Sequence, residues 1–393
     1  MDFKKLADNM QGQIVKWRRE LHQIPEIGND LPQTSKYVQN CLKDMDIPYV
    51  TMVNGSGILA TIAGKKPGKT LALRADMDAL PINEEAPVSF KSTNGNMHAC
   101  GHDAHTAMLL GVAKVLNDLK EDMQGTVKLI FQPGEEGHGG ADLMIAEGCL
   151  SDVDAIFGQH VGALFADIKQ SGKIIVSRGI AMASRDTFHV KIIGKGAHSA
   201  FPEDGIDPIA IAAQVINGAY MIKSRECAAL TPCVISICTI HGGSAANVIP
   251  QEVELGGSTR SVDVKTREMI ASRMEQVVSG ICAAFGATYE FSYDRGYDIT
   301  ENNPDMADIV INAAKDLGMG EDVILQSVPL MGSEDMSSYL NQVPGAYYFL
   351  SSATDQDGQV YGHHNPKFML DEDVFSRGVA LFLQITANYL GFK

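Results

Sequence analysis

The order of strand-like and helix-like segments constrains this fold more than any other feature of the sequence. From the N-terminus to about residue 184, short apolar runs alternate with helical stretches. The predicted strands there are 57–63, 70–74, 126–131 and 154–158, and the clearest predicted helix is 104–119. Strands that alternate with helices in this way form a mainly parallel α/β sheet with helices on its faces.

A different pattern interrupts this alternation between residues 185 and 297. It reads as strand 186–193, helix 208–223, strands 233–240 and 252–260, helix 266–285 and strand 288–293. This β-α-β-β-α-β order predicts a ferredoxin-like α+β domain. After residue 303 the first pattern resumes, through a strand at 346–350 to a helix at 374–390. We therefore predict one domain in two parts, 1–184 and 298–393, with a second domain inserted at 185–297.

The charge of the chain limits its partners. Its 393 residues carry a formal net charge of −16, and the pI is near 5.1. An acidic surface repels nucleic-acid phosphates and anionic lipid headgroups, so neither nucleic acid nor a membrane is an expected partner. The first residues lack the apolar core of a secretory signal, and no later stretch is apolar over the length of a bilayer. We expect a cytoplasmic protein with reduced cysteines and a small-molecule or peptide substrate.

Polar side chains cluster directly after the predicted strands, where an open α/β sheet binds its ligands. The clusters are 74–78 (RADMD), 134–137 (GEEG), 159–160 (QH) and 362–366 (GHHNP), with 98–105 (HACGHDAH) at the start of the predicted helix. Each cluster alone is more simply structural, because single histidines, acidic turns and buried cysteines are common in folded proteins. Together, cysteine, histidine and carboxylates at one sheet edge are the ligands of Zn²⁺, Mn²⁺ or Co²⁺.

The acidic pair Glu135-Glu136 indicates a reaction type. It lies between Gly134 and Gly137, which permit a tight backbone and close approach of a ligand or metal. Adjacent carboxylates point in different directions. One can bind a cation while the other accepts a proton from metal-bound water, whose pKa falls from 15.7 towards about 7 on Zn²⁺. This division of roles is what metal-dependent amide hydrolysis requires.

Motifs along nearly the whole chain carry a family resemblance. The matching segments are 18–22 (RRELH), 25–26 (PE), 74–81 (RADMDALP), 97–105 (MHACGHDAH), 131–137 (FQPGEEG), 194–198 (GKGAH), 202–208, 247–250 (NVIP), 333–335 (SED) and 364–366 (HNP). They resemble the dinuclear metallopeptidase and aminoacylase family, in the branch of N-acyl-amino-acid amidohydrolases, hippurate hydrolases and auxin-conjugate hydrolases. Segment 97–105 is the most specific, because relatives outside this branch have an aspartate where Cys100 stands.

The resemblance implies a zinc-exopeptidase-like catalytic domain that holds two divalent ions per subunit. These would be Zn²⁺, Mn²⁺, Co²⁺ or Ni²⁺, bridged by Cys100. The general base would be Glu135, acting on a bridging hydroxide that attacks the amide of an N-acyl-amino acid. The remaining metal ligands implied are His102, Glu136, His160 and His364.

The resemblance also makes the inserted domain a lid and dimerisation module of a homodimer or a dimer-based oligomer. In the family, the histidine that corresponds to His198 reaches the active site of the partner subunit and supports the oxyanion. Asn247 and Arg260 match positions that hold the carboxylate of the substrate.

The chain departs from the family pattern at two places near these residues. His363 and His364 are doubled where one histidine is expected, so the choice of His364 rests on the Asn-Pro that follows it. Gln159 precedes His160 where leucine is usual, which predicts an additional polar group near the metals.

Several readings of the function remain open. A dipeptidase or an N-acetyl-diaminopimelate deacetylase would use the same site. Cys100 could instead be a nucleophile paired with His102 or His105, although that leaves the acidic pair unexplained. The third reading is a binding protein in which metals only stabilise the fold. A structural zinc site, however, has all four coordination positions filled by protein ligands and no carboxylate base beside them.

Overall fold

The computed structural model describes residues 1–356 and 358–392 and divides into two compact units. The larger unit comprises Met1–Ala181, Glu301–Val328 and the chain from Asp335 onward, and the smaller comprises Met182–Thr300 and Pro329–Glu334. The sequence predicts an inserted domain at 185–297. The segment Pro329–Glu334 also belongs to the smaller unit, and no local sequence pattern indicates this.

The strands of the described residues are numbered β1 to β18 in chain order. They are β1 (Tyr49–Met52), β2 (Gly57–Ala63), β3 (Lys66–Asp76), β4 (Gln124–Gln132), β5 (Ala155–Gly162), β6 (Ile174–Val176), β7 (Ile180–Met182), β8 (Ser184–Ile193), β9 (Ala197–His198), β10 (Cys233–Gly242), β11 (Val248–Ile249), β12 (Glu252–Ser261), β13 (Thr288–Arg295), β14 (Thr300–Glu301), β15 (Val323–Leu325), β16 (Gly345–Ser351), β17 (Asp355–Gln356) and β18 (Gln359–Val360).

The α-helices of the same residues are numbered α1 to α9. They are α1 (Phe3–His22), α2 (Pro32–Asp44), α3 (His102–Asp118), α4 (Gly140–Ala146), α5 (Pro208–Met221), α6 (Val264–Ala284), α7 (Pro304–Asp316), α8 (Met336–Leu340) and α9 (Phe375–Leu390). None of the helices among the described residues has the length and apolarity needed to cross a bilayer.

An eight-stranded sheet forms the centre of the larger unit, in the order β1-β2-β4-β3-β5-β16-β6-β15. Its middle strands are parallel, since β3 pairs with β4 and β5, and β5 pairs with β16. Antiparallel pairs occur at β1–β2, β2–β4 and β16–β6. The prediction of a mixed, mainly parallel sheet flanked by helices is therefore confirmed.

The middle of this sheet is buried on both faces. Every residue of β5 and of β16 is buried, as expected for parallel strands covered by helices. Helix α3 packs against α1 and α9. At this contact Gly111 of α3 lets the helices approach closely, because a Cβ there would lie 3.1 Å from Ile14 and 3.2 Å from Val379.

The smaller unit has the predicted ferredoxin-like form. Its four-stranded antiparallel sheet has the order β10-β12-β8-β13. Buried residues alternate with less buried ones along β8, so the sheet has one covered face. Helices α5 and α6 pack against the sheet and supply the other half of an apolar core.

Two element boundaries differ from the sequence prediction and matter for the site. Helix α3 begins at His102, two residues before the predicted start, because Gly101 turns the chain with a φ of +91°. Strand β5 continues to Gly162, because its parallel pairing with β16 extends to the last residue of each strand. His160 is therefore held within a strand.

Candidate metal centre

The parallel strands of the larger unit bring the predicted polar clusters to one edge of the sheet. Strand β3 ends at Asp76, and β4 ends shortly before Glu135. Strand β5 carries His160 near its end. Cys100 lies just before α3, and His102 is the first residue of that helix. The carboxyl ends of neighbouring parallel strands meet, so these side chains are held by rigid elements.

Cys100 is shared by two groups of possible metal ligands. In one group, ligand atoms of Cys100, His102 and Glu136 all lie within 4.8 Å of one another. In the other, the same holds for Cys100, His160 and His363. Cys100 Sγ lies 3.5 Å from His160 Nε2. A sulfur atom common to two ligand groups is the arrangement that a bridged pair of cations requires.

The two central imidazoles are oriented for metal binding. His102 Nδ1 lies 2.9 Å from the carbonyl oxygen of Asp78, and His160 Nδ1 lies 3.1 Å from that of Val161. A carbonyl only accepts, so each Nδ1 donates its proton, and Nε2 has a lone pair for a cation whenever the ring is neutral. Within the described residues, His102 Nε2 is buried without a hydrogen-bond partner. An orphaned acceptor atom of this kind fits a divalent cation.

Both histidines of the doubled pair reach this region. His364 Nε2 lies 3.2 Å from Glu136 Oε1, and the His364 side chain is 53% exposed. The His364 backbone has a φ of +62°, which is rare for a residue with a Cβ and is typical of functional sites. His363 instead lies beside His160, with 5.1 Å between ring centroids. The family pattern has one histidine at this position, whereas in this structure both His363 and His364 lie near the other possible metal ligands.

Asp78 holds the acidic pair in place. One oxygen of its carboxylate accepts a hydrogen bond from the backbone N–H of Glu135 and the other from that of Glu136, each at 3.0 Å. The turn is tight because Gly134 has a φ of +71°, and a Cβ there would lie 1.9 Å from Asn29 Oδ1. Glu135 is only 7% exposed. Through these contacts Asp78 supports the site by fixing the backbone of both glutamates.

Asp76 and His105 support the site and are explained without a metal. His105 Nδ1 lies 2.5 Å from Asp76 Oδ1, and His105 Nε2 accepts a hydrogen bond from Val161 N at 2.8 Å. Both imidazole nitrogens are therefore used. This pair links β3, α3 and β5 next to His160. Arg74 neutralises the buried charge, donating to Asp76 at 2.8 Å and to Asp335 at 2.7 Å.

The buried charges perturb the pKa values of the site. Burial opposes the charged form of His102, but Asp76 and Asp78 outweigh burial and raise the pKa of His102 to about 10. Burial and neighbouring histidines lower the pKa of His363 to about 3, which leaves it neutral. A cation that binds His102 must displace its proton, so metal affinity is expected to fall as the pH falls.

Gln159 does not lie on the metal side of β5. Side chains alternate along a strand, so Gln159 points away from His160 and towards the helices. Its Nε2 lies 3.4 Å from Met108 Sδ of α3. A Cβ on Gly378 of α9 would lie 2.6 Å from the same nitrogen. The prediction of an additional polar group near the metals is therefore wrong.

In the smaller unit, two of the three predicted residues lie together. His198 and Asn247 line one cavity of about 820 Å³. His198 Nδ1 accepts a hydrogen bond from Ala200 N at 3.0 Å, so Nε2 carries the proton and is a donor. Arg260, on β12, donates to Ser333 Oγ at 2.9 Å.

Comparison with known proteins decides the family. The model of the peptidase family M20/M25/M40 matches residues 72–388. The chain belongs to the M20 peptidase family. The predicted resemblance to dinuclear metallopeptidases and aminoacylases is thereby confirmed, and the chain is a metal-dependent hydrolase.

Named M20 relatives cover most of the chain. It is 40% identical over 382 residues to thermostable carboxypeptidase 2 of Saccharolobus solfataricus, covering 96% of this chain and 94% of the relative. It is 41% identical over 298 residues to an N-acyl-L-amino acid amidohydrolase of Geobacillus stearothermophilus, covering 75% of this chain and 80% of the relative. A Bacillus subtilis structure described as a dinuclear metal-binding M20 peptidase superposes with a TM-score of 0.84 at 32% identity, covering 98% of this chain and 100% of that one.

Proposed function

We propose that this M20 protein hydrolyses the amide bond of N-acyl-amino acids and releases a carboxylic acid and a free amino acid. One observation carries the proposal: Cys100 belongs to two ligand groups, and an acidic pair clamped by Asp78 lies at the same edge of the sheet. This arrangement would allow two cations to bind with a carboxylate base beside them, as a two-metal amidase requires.

Five side chains would hold two divalent ions, of which Zn²⁺, Mn²⁺, Co²⁺ and Ni²⁺ suit the donor set. When bound, such ions act as Lewis acids on a carbonyl oxygen and lower the pKa of water. The buried His102 Nε2 without a partner and the 3.2 Å between Glu136 Oε1 and His364 Nε2 support the assignment. The proposed ligands are Cys100, His102, Glu136, His160 and His364.

Glu135 is the proposed general base. Its neighbour Glu136 shares a ligand group with Cys100 and His102, and Asp78 holds the backbone N–H of Glu135 beside it. In the proposed reaction Glu135 takes a proton from the attacking water. It then delivers that proton to the amide nitrogen as the carbon–nitrogen bond breaks, so the departing product is a neutral amine.

The smaller unit is proposed to complete the site in a homodimer. The Nε2–H of His198 has the polarity needed to donate to an oxyanion, and we propose that it acts on the active site of the partner subunit. Asn247 and Arg260 are proposed to hold the substrate carboxylate. Strand β10 is an open edge of its sheet, and Ile240 on β10 and Met221 at the end of α5 are more than half exposed. An open edge with apolar neighbours favours association.

The test is a substrate panel with the metal-reconstituted protein. N-acetyl-amino acids, N-benzoylglycine, dipeptides and N-acetyl-diaminopimelate are offered with Zn²⁺, Mn²⁺ or Co²⁺, and kcat/KM values are compared. We expect N-acyl-amino acids to have the highest kcat/KM values of the panel. Higher kcat/KM for dipeptides would favour a peptidase, the reading supported by the carboxypeptidase name of the Saccharolobus relative. A wholly inert panel would contradict the enzymatic proposal.

A Glu135→Gln variant tests the base. Glutamine keeps the shape of the side chain but does not accept the proton, so kcat should fall by roughly 10²–10⁴-fold with both ions still bound. Turnover near that of the wild type, with two ions bound, would remove Glu135 from this role.

A further inference from the structure

His363 occupies a position at the metal centre that the proposed ligand set does not use. It belongs with Cys100 and His160 to a group whose ligand atoms all lie within 4.8 Å of one another. Its ring lies 5.1 Å from that of His160, between centroids. His364 follows in the chain but contacts Glu136. The two neighbouring histidines therefore serve different parts of the centre.

The ring nitrogens of His363 also lack the partners that a structural histidine has. Both are buried, and neither meets the geometry of a hydrogen bond to a described residue, although the backbone of Cys100 interacts with the ring and favours its protonated form. A buried polar atom without a partner costs roughly 1–3 kcal/mol, so native structures seldom leave one without a reason. His105 shows the contrast in this same centre, because both of its nitrogens are hydrogen-bonded.

The backbone leaves space for this imidazole. A Cβ on Gly162, two residues after His160, would lie 2.2 Å from His363 Nε2. Gly162 has a φ of +145°, a conformation that favours glycine. On its other side the ring meets Phe368, with 4.6 Å between centroids. The ring is thus held in one place beside Cys100 and His160.

We propose that His363 is an additional metal ligand, which binds the same ion as Cys100 and His160. The inference rests on the proposed two-metal function and extends it, because the centre would then have four imidazoles in place of three. A further neutral nitrogen ligand favours Zn²⁺, Co²⁺ or Ni²⁺ over Mn²⁺ at that position.

The test compares Co²⁺ binding by the wild type and two variants. In His363→Phe an aromatic ring of similar shape remains but both nitrogens are lost. His98→Phe is the matched control, since His98 is likewise buried with two nitrogens that lack partners among the described residues, yet it lies in no ligand group found there. The apparent Kd of each ion is measured by competition with a chromophoric chelator, together with the visible absorption of bound Co²⁺.

The proposal expects His363→Phe to weaken one ion by at least roughly 10–100-fold, the loss usual for residues that merely orient a ligand, and to change the Co²⁺ spectrum. His98→Phe should bind both ions like the wild type. A folded His363→Phe with both affinities and the spectrum unchanged would overturn the proposal. A wild type that binds no pair of ions would instead contradict the proposed function.

A second measurement does not need His363→Phe, in case that variant does not fold. Proton NMR of the Co²⁺-loaded protein counts the imidazole rings whose resonances are shifted by direct contact with the ion. Four shifted rings support His363 as a ligand in addition to His102, His160 and His364. Three shifted rings, with His363→Gln leaving that count unchanged, would overturn the proposal.

Discussion

Gln159→Leu should stabilise this protein, although it removes a polar side chain three residues before the end of a central strand. Gln159 is 3% exposed, and its Oε1 has no hydrogen-bond partner among the described residues. Its Nε2 has only the weak acceptor Met108 Sδ, at 3.4 Å. The folded state therefore loses the hydration of an amide without replacing it.

The expected gain follows from these contacts. A buried acceptor without a partner costs roughly 1–3 kcal/mol, and replacement by an apolar group of similar shape removes that cost. The site is tight, because a Cβ on Gly378 would lie 2.6 Å from Gln159 Nε2. Branching of leucine there offsets part of the gain. We expect the free energy of unfolding to rise by roughly 1–2 kcal/mol and the Tm by roughly 2–4 °C.

Gln132→Leu is the matched control. Gln132 is also a buried glutamine at the end of a strand of the same sheet, but its Oε1 accepts from Arg74 at 2.9 Å and its Nε2 donates to Asp335 at 2.6 Å. Its loss leaves charged groups short of partners and should destabilise by roughly 2–5 kcal/mol. Guanidinium unfolding followed by circular dichroism measures both variants. If Gln159→Leu destabilises the protein to the same extent as Gln132→Leu, the reasoning is refuted.

The remaining predictions concern the metal centre and the smaller unit. Asp78→Ala removes the acceptor for two backbone N–H groups of the acidic pair and should lower kcat by roughly 10–100-fold in a folded protein. A kcat equal to that of the wild type would show that Asp78 does not position Glu135 and Glu136 for catalysis. Exhaustive EDTA treatment should abolish turnover, and Zn²⁺, Mn²⁺ or Co²⁺ should restore it; activity that survives would favour Cys100 as a nucleophile. Arg267→Met leaves the buried carboxylate of Asp186 without its closest cation, 2.6 Å away, and should lower the free energy of unfolding by roughly 3 kcal/mol in urea. Burial would raise the pKa of Asp186, but Arg267 outweighs burial and lowers that pKa. The ion pair therefore stabilises the protein fully above the ordinary aspartate pKa near 4, and this stabilisation is lost as the pH falls further. Asp186→Asn should reduce the acid dependence of unfolding, and an unchanged dependence would refute this account.

Local sequence patterns predict the elements of this fold better than their ends. The predicted strand 57–63 has the bounds of β2, because its alternation stops at Gly57 and Ala63. Strand β5 runs past the predicted end at residue 158, because pairing with β16 extends it and β16 is distant in sequence. Pro329–Glu334 joins the smaller unit for the same reason, since its contacts are not local. Non-local pairing leaves no periodic signal in one segment.

In the site, too, local sequence predicts some features and non-local packing decides others. Residue types and strand ends indicate which clusters meet, and Cys100, His102, Glu136 and His160 are brought together. The choice between neighbouring histidines depends on packing around Gly162 and Phe368, which the Asn-Pro motif does not encode. Proximity in sequence to His160 does not bring Gln159 near the metals. Along a strand, the next residue faces the opposite side.

If Cys100 holds both cations as proposed, binding of both ions depends on the redox state of one sulfur atom. Oxidation to a sulfinate would replace a soft donor with hard oxygens and would disturb both possible ligand groups in one chemical event. On the proposed ligand set a bound metal would occupy the lone pairs of the thiolate, so the apoprotein should inactivate irreversibly under peroxide much faster than the loaded form. Chelators and air together are therefore a poor environment in which to purify or store this enzyme.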